Sequence, residues 1–417
     1  MDRTIAVHGG IRFSRLLWFW LALIGAYPFV FYLFPWHPYK LFLAFWLFVT
    51  VIAVLMSEKS LSGAIVPWIV LLCAQLSAFL FLFLVHDDSE YLNLVLQSLF
   101  VLPFLYYLSS SRGSIQALAH SYVWFLIAIS LFACVGFLLA FTGVWDKPVT
   151  SVGPRNLRLY FGTFTPTTIR VSSGAIIRPS GLFDEPGTLS YFIIHAVFIS
   201  YLLGQSAKRR ILLIALGLTT LSVAHAITGG LWLMWELRRY HRQIFRGLAL
   251  SLLFIILLIG GSPDLIESME TSPLARITIL RLLPDGSGRQ IIRGDNRSSE
   301  LNLGWQVFRT APLFGNGITK SQTEYEHFGA TFLAPFAYHG LLGGTIYFLP
   351  VVFLVYANRK NPWRRRVPIW LLMLLYSQRP YILGLFPLTS IFLVWWLIVS
   401  NHPRSSDVVP RLRETAG

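Results

Sequence analysis

Acidic residues are scarce in this chain: 19 Asp and Glu stand against 34 Lys and Arg, and charged residues of both signs make up only 13% of 417 positions. So little charge does not cover the surface of a water-soluble protein of this length. Cysteine is almost missing as well. Cys73 and Cys134 both fall in apolar runs, which excludes a disulfide framework and a cysteine metal centre. There is no internal repeat, no low-complexity segment and no acidic cluster with metal-ligand spacing, so neither a metal nor another cofactor is expected. What fills the sequence instead is apolar, with 55% hydrophobic residues and a mean hydropathy of +0.61. The chain reads as an all-α polytopic membrane protein. Its net charge of +15 is explained by basic cytoplasmic loops, and no nucleic-acid partner is expected.

Apolar runs long enough to cross a hydrocarbon core of about 30 Å extend over Leu16–Phe34, Leu41–Met56, Leu61–Val85, Tyr91–Leu108 and Ile115–Phe141. Further runs follow at Pro186–Gly204, Ile211–Leu237, Ile244–Gly261, Phe328–Ala357 and, as a pair, Val367–Ser400. The first is read as an uncleaved span, since no small-residue cleavage pattern follows the basic start. Charge decides the topology. Lys208–Arg210 precede Ile211–Leu237, and Arg238, Arg239, Arg242 and Arg246 follow it, so both flanks belong in the cytoplasm. About 27 residues at 1.5 Å each cannot cross twice in full. The segment is therefore expected to be a re-entrant-like pair of short helices turning near His225, Thr228, Gly229 and Gly230, and to form the floor of a site. The scheme that results is one integral membrane domain of about 12 segments, with both termini and a tail at 403–417 in the cytoplasm. Two large loops, 143–184 and 262–327, then lie outside.

These loops carry the chemistry. The first holds Arg155, Arg158, Arg170 and Arg178, and re-enters the membrane through RPSGLFDEP, an acidic helix start with Pro186 at its first position. The second holds Arg276, Arg281, Arg289, Arg293, Arg297 and Arg309, and ends at His327. Spacing over Ile292–Phe308 predicts an amphipathic helix lying along the membrane, with Leu301, Trp305 and Phe308 on one face. Guanidinium groups suit phosphate, because a planar fork gives two parallel charge-assisted hydrogen bonds. A single interfacial arginine is as readily explained by lipid headgroups or a structural ion pair, so the set carries more weight than any member. Glu185, whose own charge would repel a phosphate, fits a proton acceptor, an orienter of a sugar hydroxyl or a helix cap better than a phosphate ligand. His195 and His339, inside spans, are expected to be satisfied by packing partners. Tyr160, Trp305 and Tyr325 are candidates for stacking on a sugar.

At these residues the chain resembles the O-antigen polymerase and ligase superfamily, the Wzy-type polysaccharide polymerases and their relatives. The resemblance rests on Arg178–Pro186, on Asp295–Arg297 with Trp305 and PLFGNG, and on His327 with the HGLLGG run at His339–Gly344. The Arg, ten residues, Gly spacing of the polymerases also occurs twice, as Arg170 with Gly181 and Arg293 with Gly304. Phe328 follows His327 where the ligases usually carry Asn, which favours the polymerase side. The resemblance covers about Gly143–Gly344. It implies a GT-C-like architecture in the bacterial inner (cytoplasmic) membrane. The implied reaction moves a polyprenyl-diphosphate-linked oligosaccharide onto a sugar hydroxyl of a lipid-linked repeat unit, with membrane lipid around it and a chain-length regulator as a further partner. Arg170, Arg178, Arg293 and Arg297 would hold the diphosphate, with Arg178 and Arg297 also assisting its departure, and Glu185 or His327 would be the base. Transfer to a lipid core or protein, as in a ligase, and flipping of the lipid-linked glycan are the competing readings.

Overall fold

The computed structural model describes residues 48, 65–109, 112–152, 157–171, 174–238, 297–325, 331–359, 363–380, 382–383 and 385–400. The spans expected at Leu16–Phe34, Leu41–Met56 (apart from Phe48) and Ile244–Gly261 lie outside them, as do Arg155, Arg293, His327, most of the second loop and the tail 403–417.

The described chain is largely helical. Helices α1 (Val66–His86), α2 (Glu90–Ser109) and α3 (Arg112–Phe141) come first, followed by five short strands: β1 (Thr150–Val152), β2 (Leu157–Tyr160), β3 (Thr163–Thr165), β4 (Thr168–Val171) and β5 (Gly174–Ile177). Then come α4 (Pro186–Leu202), α5 (Ala207–Leu218) and α6 (Val223–Leu237). The rest comprises α7 (Arg297–Thr310), α8 (Ile318–Glu324), α9 (Ala334–Asn358), α10 (Trp363–Gln378) and α11 (Leu385–Ser400). Three stretches, Val66–His86, Ile115–Phe141 and Ala334–Asn358, are long and apolar enough to cross a membrane. Together with the composition they define a helical membrane protein. The helical fold expected is there, with one addition. The first loop folds into an antiparallel sheet β1-β2-β3 and a hairpin β4-β5, which pair backbone groups that a loop at the membrane surface would otherwise leave bare.

At the centre stand α4 and α11, apolar on every side and buried almost along their whole length, as helices without a polar face must be. Tyr122 of α3, Phe192 of α4 and Phe386 of α11 interlock there, with Phe192 and Phe386 edge to face at 4.4 Å. Around this pair stand the longer α1, α3 and α9. Length sets the relative height of these helix ends. At 1.5 Å per residue the 30-residue α3 measures about 45 Å, while the 17-residue α4 measures about 26 Å. The two run side by side with α3 longer at both ends: Gln205, just past α4, bonds His120, eight residues into α3, at 2.8 Å. At the opposite end Gly181 lies against Ile129 of α3 and Leu189 of α4. The start of α4 is thus recessed by roughly 13 Å below the end of α3.

The helix pair α5–α6 is present, but its turn falls at Thr219–Ser222, ahead of the expected site. The Thr219 and Thr220 hydroxyls donate back to the Leu216 and Gly217 carbonyls, and Leu221 adopts a positive φ of 50°, which ends the helix. Gly229 belongs to α6 because of packing, since a β-carbon there would press on Ile214 at 2.9 Å. His225 fills the space that Gly217 leaves and bonds the Ile214 carbonyl at 2.9 Å. At the other end of the pair, Arg210 and Glu236 form a bidentate ion pair at 3.0 and 2.6 Å, almost wholly buried.

Candidate functional site

Three helix ends meet at the recess. The chain reaches α4 extended through Glu185, and Pro186 fixes the first helical φ while lacking an N–H that would have no partner. Arg379, just past α10, places Nη1 2.7 Å from Glu185 Oε2. Its guanidinium lies against the backbone of Gly187, where a β-carbon would overlap it. One turn back along α10, and more than two turns along α4, His195 of α4 shares a 2.7 Å hydrogen bond with the Tyr376 hydroxyl, so the two helices are tied at two levels. The third end is the α5–α6 turn. Arg178, leaving β5, donates from Nη2 to the Leu221 carbonyl at 3.3 Å. Asp184 accepts from the Thr188 hydroxyl at 3.2 Å and stays half-buried beside Glu185.

Arg178, just past β5, Asp184, Glu185 and Arg379 are therefore gathered near the start of α4, below the part of α3 along which the first-loop strands pack. Two cations, carboxylates and a helix start without a side-chain cap, gathered here, can receive an anionic headgroup and a hydroxyl.

The wall formed by the second loop is built around a break in α9. Gly340 has φ 67° and ψ −169°, and the backbone groups it releases are taken up by the PLFGNG segment. Leu341 and Leu342 N–H donate to the Pro312 and Leu313 carbonyls, while the Asn316 and Gly317 N–H donate to those of Ala337 and Tyr338. A broken helix survives in a membrane protein when neighbouring backbone satisfies it in this way. Asp88, between α1 and α2, ties the wall down. Its two oxygens accept from the Thr319 N–H at 2.8 Å and hydroxyl at 2.7 Å, and also from the Glu90 N–H at 3.1 Å. Burial pushes the Asp88 carboxyl up, but hydrogen bonds from Thr319, Glu90 and Ile318 outweigh it and hold the group below its ordinary value.

The expected residues are placed unevenly. Arg178 and Glu185 are both in the recess, where Arg178 bonds the α5–α6 turn and Glu185 pairs with Arg379. Glu185 is thereby a counter-ion as well as a helix start. Arg170 lies exposed on β4, opposite Ala175. Arg297 opens α7, but its side chain, like Arg293 and His327, is outside the described residues. The helix expected over Ile292–Phe308 is described from Arg297 and buries Gly304 and Val307 against α9, leaving Trp305 half exposed; the inward face is set by the fit to Ala334 and Ala337. Tyr160 is buried, with its hydroxyl on Thr168, and is not available for stacking. His195 and His339 have the packing partners expected of them.

Arg379 was missed, and a signal existed. It is the sole charged residue from Val367 to Ser400, in an apolar stretch where a charge is costly and calls for a partner. No protein-family model matches the chain, and no curated protein matches it.

Proposed function

We propose that this protein is a membrane glycosyltransferase of the polysaccharide polymerase kind, moving a polyprenyl-diphosphate-linked glycan onto a sugar hydroxyl of a lipid-linked repeat unit. The observation that supports it most is the recess itself, with Arg178 and Arg379 gathered near the start of α4, roughly 13 Å below the end of α3. Breaking the glycosidic C–O bond leaves charge on the diphosphate, and guanidinium groups already in place stabilise it without rearrangement. Arg178 and Arg379 are offered from the described side of the recess, with Arg170, Arg293 and Arg297 proposed from the loops. The acceptor hydroxyl must lose a proton, and His327 or Glu185 takes it. Because Glu185 is paired with Arg379, His327 is the better candidate for the base, with Glu185 holding the cation in position. The reaction is proposed to need no metal.

The test is synthesis of polymer in vitro from lipid-linked repeat units alone, which a ligase or a flippase does not perform. Arg178→Ala is expected to leave the protein inserted and folded but without long polymer. Arg178→Lys is expected not to rescue it, because a point charge replaces the fork. Wild-type chain length in Arg178→Ala, or synthesis lost on chelation and restored by a divalent ion, would sink the mechanism.

A further inference from the structure

Beside the recess, between α3 and the first loop, lies a cleft of about 220 Å³, bordered by Ile129 and Phe132 of α3, by Leu159, Gly162 and Phe164 of the sheet, and by Leu182. Its lining is carbon almost throughout. The hydroxyl of Thr163, also at its edge, is turned away and used up: it donates to the Phe164 carbonyl at 2.9 Å and accepts from the Ser180 and Gly181 N–H groups. Nothing polar is left to order water there, and an apolar cavity of this kind favours hydrocarbon.

Its shape is set by backbone. Gly162, at φ 65°, lets the β2–β3 turn approach α3, where a β-carbon would come within 2.8 Å of the Phe132 carbonyl oxygen. Gly181 does the same against Ile129 at 2.5 Å. The cleft is therefore formed before anything enters it, and an occupant need not pay to order it.

Its position identifies the occupant. Trp124, Leu131, Phe132, Val135 and Leu138 are exposed along one stripe of the spanning helix α3, the face that meets lipid. Phe132 belongs both to that stripe and to the cleft, so the cleft opens sideways into the bilayer. It lies at the level where α4 begins, and the chain runs from Leu182 at its edge to Asp184 and Glu185 within three residues. A chain lying in the cleft has its headgroup within reach of the recess. A volume of about 220 Å³ leaves little room for two chains side by side, which fits a single-tailed lipid phosphate better than a two-tailed phospholipid.

We infer that this cleft is the lateral entry and tail-binding subsite for a polyprenyl-phosphate-class lipid. The inference rests on the proposed glycan transfer for its choice of lipid. The test uses the full-length protein with a benzophenone amino acid at Phe132, reconstituted in phosphatidylethanolamine and phosphatidylglycerol vesicles containing a small fraction of polyprenyl phosphate. After irradiation the adducts are identified by mass spectrometry. The same probe at Leu138, on the same stripe but away from the cleft, reports the surrounding bilayer. Expected is a several-fold enrichment of polyprenyl phosphate at Phe132 over Leu138, abolished by Leu182→Trp, which fills the cleft.

Equal adduct ratios at the two positions, or phospholipid alone at Phe132, would overturn the inference. If Leu182→Trp does not fold, Leu159→Trp serves in its place, and the comparison of Phe132 with Leu138 needs neither. Enrichment without glycan transfer would leave the subsite standing and sink the reaction, whereas transfer without enrichment would do the reverse.

Discussion

Removing Glu185 should hurt the fold more than removing Arg379, although both changes break the same ion pair. The side chains are 34% and 12% exposed, respectively. Breaking a fully buried pair costs about 3–5 kcal/mol, whereas an exposed pair contributes about 0–1 kcal/mol. Arg379 is close to the first limit and Glu185 to the second. Glu185→Gln strands a largely buried guanidinium on the first turn of α4, where the helix dipole also repels it, so a loss of about 3 kcal/mol is expected. Arg379→Gln strands a partly hydrated carboxylate at a helix N-terminus, which itself favours an anion by about 0.3–1 kcal/mol, and about 1 kcal/mol is expected. Gly187→Ala displaces the guanidinium without changing any charge and should fall between them. Thermal unfolding in detergent micelles, followed by tryptophan fluorescence, reads the order directly. If Arg379→Gln lowers the midpoint as much as Glu185→Gln, or if Gly187→Ala leaves it unchanged, the cation does not sit on α4 as argued.

Four further outcomes are expected. Arg210→Gln and Glu236→Gln should each destabilise by about 3–5 kcal/mol, while the double change Arg210→Met with Glu236→Leu costs far less, in the same unfolding assay. Asp88 has a folded-state value below its ordinary 3.8, so its stabilisation is complete above that pH and is lost as pH falls through the lower value. Hydrogen-exchange protection of the Thr319 amide should accordingly hold between about pH 7 and pH 5, and disappear at every pH in Asp88→Asn. Gly340→Ala should destabilise by more than about 1 kcal/mol, since φ is 67° and the new methyl overlaps the Leu313 carbonyl; the midpoint of the purified variant measures it. A reporter fused at Ser287 should read as extracytoplasmic, and a cytoplasmic signal would overturn the charge-based topology.

What the sequence determined by itself is the part of the protein that depends on composition and on local order. Hydropathy marked the spanning helices of the described residues to within a few positions, because the bilayer imposes one length and one polarity on each. Charge on either side of Ile211–Leu237 required the segment to double back, and a helix pair is there. Where it turns was not legible. Glycines at 229 and 230 look like a turn in one dimension, and only the contact with Ile214 shows that 229 is a packing site. The same holds for charge. The sequence placed Arg178 and Glu185 at one loop exit, but nothing local connects Glu185 with Arg379, 194 positions away. The tertiary structure alone decided that pairing, along with the recess and the cleft beside it. The recess and the cleft depend on how a short helix is set against a long one, and the pairing on how α4 packs beside α10; neither exists until the helices have packed.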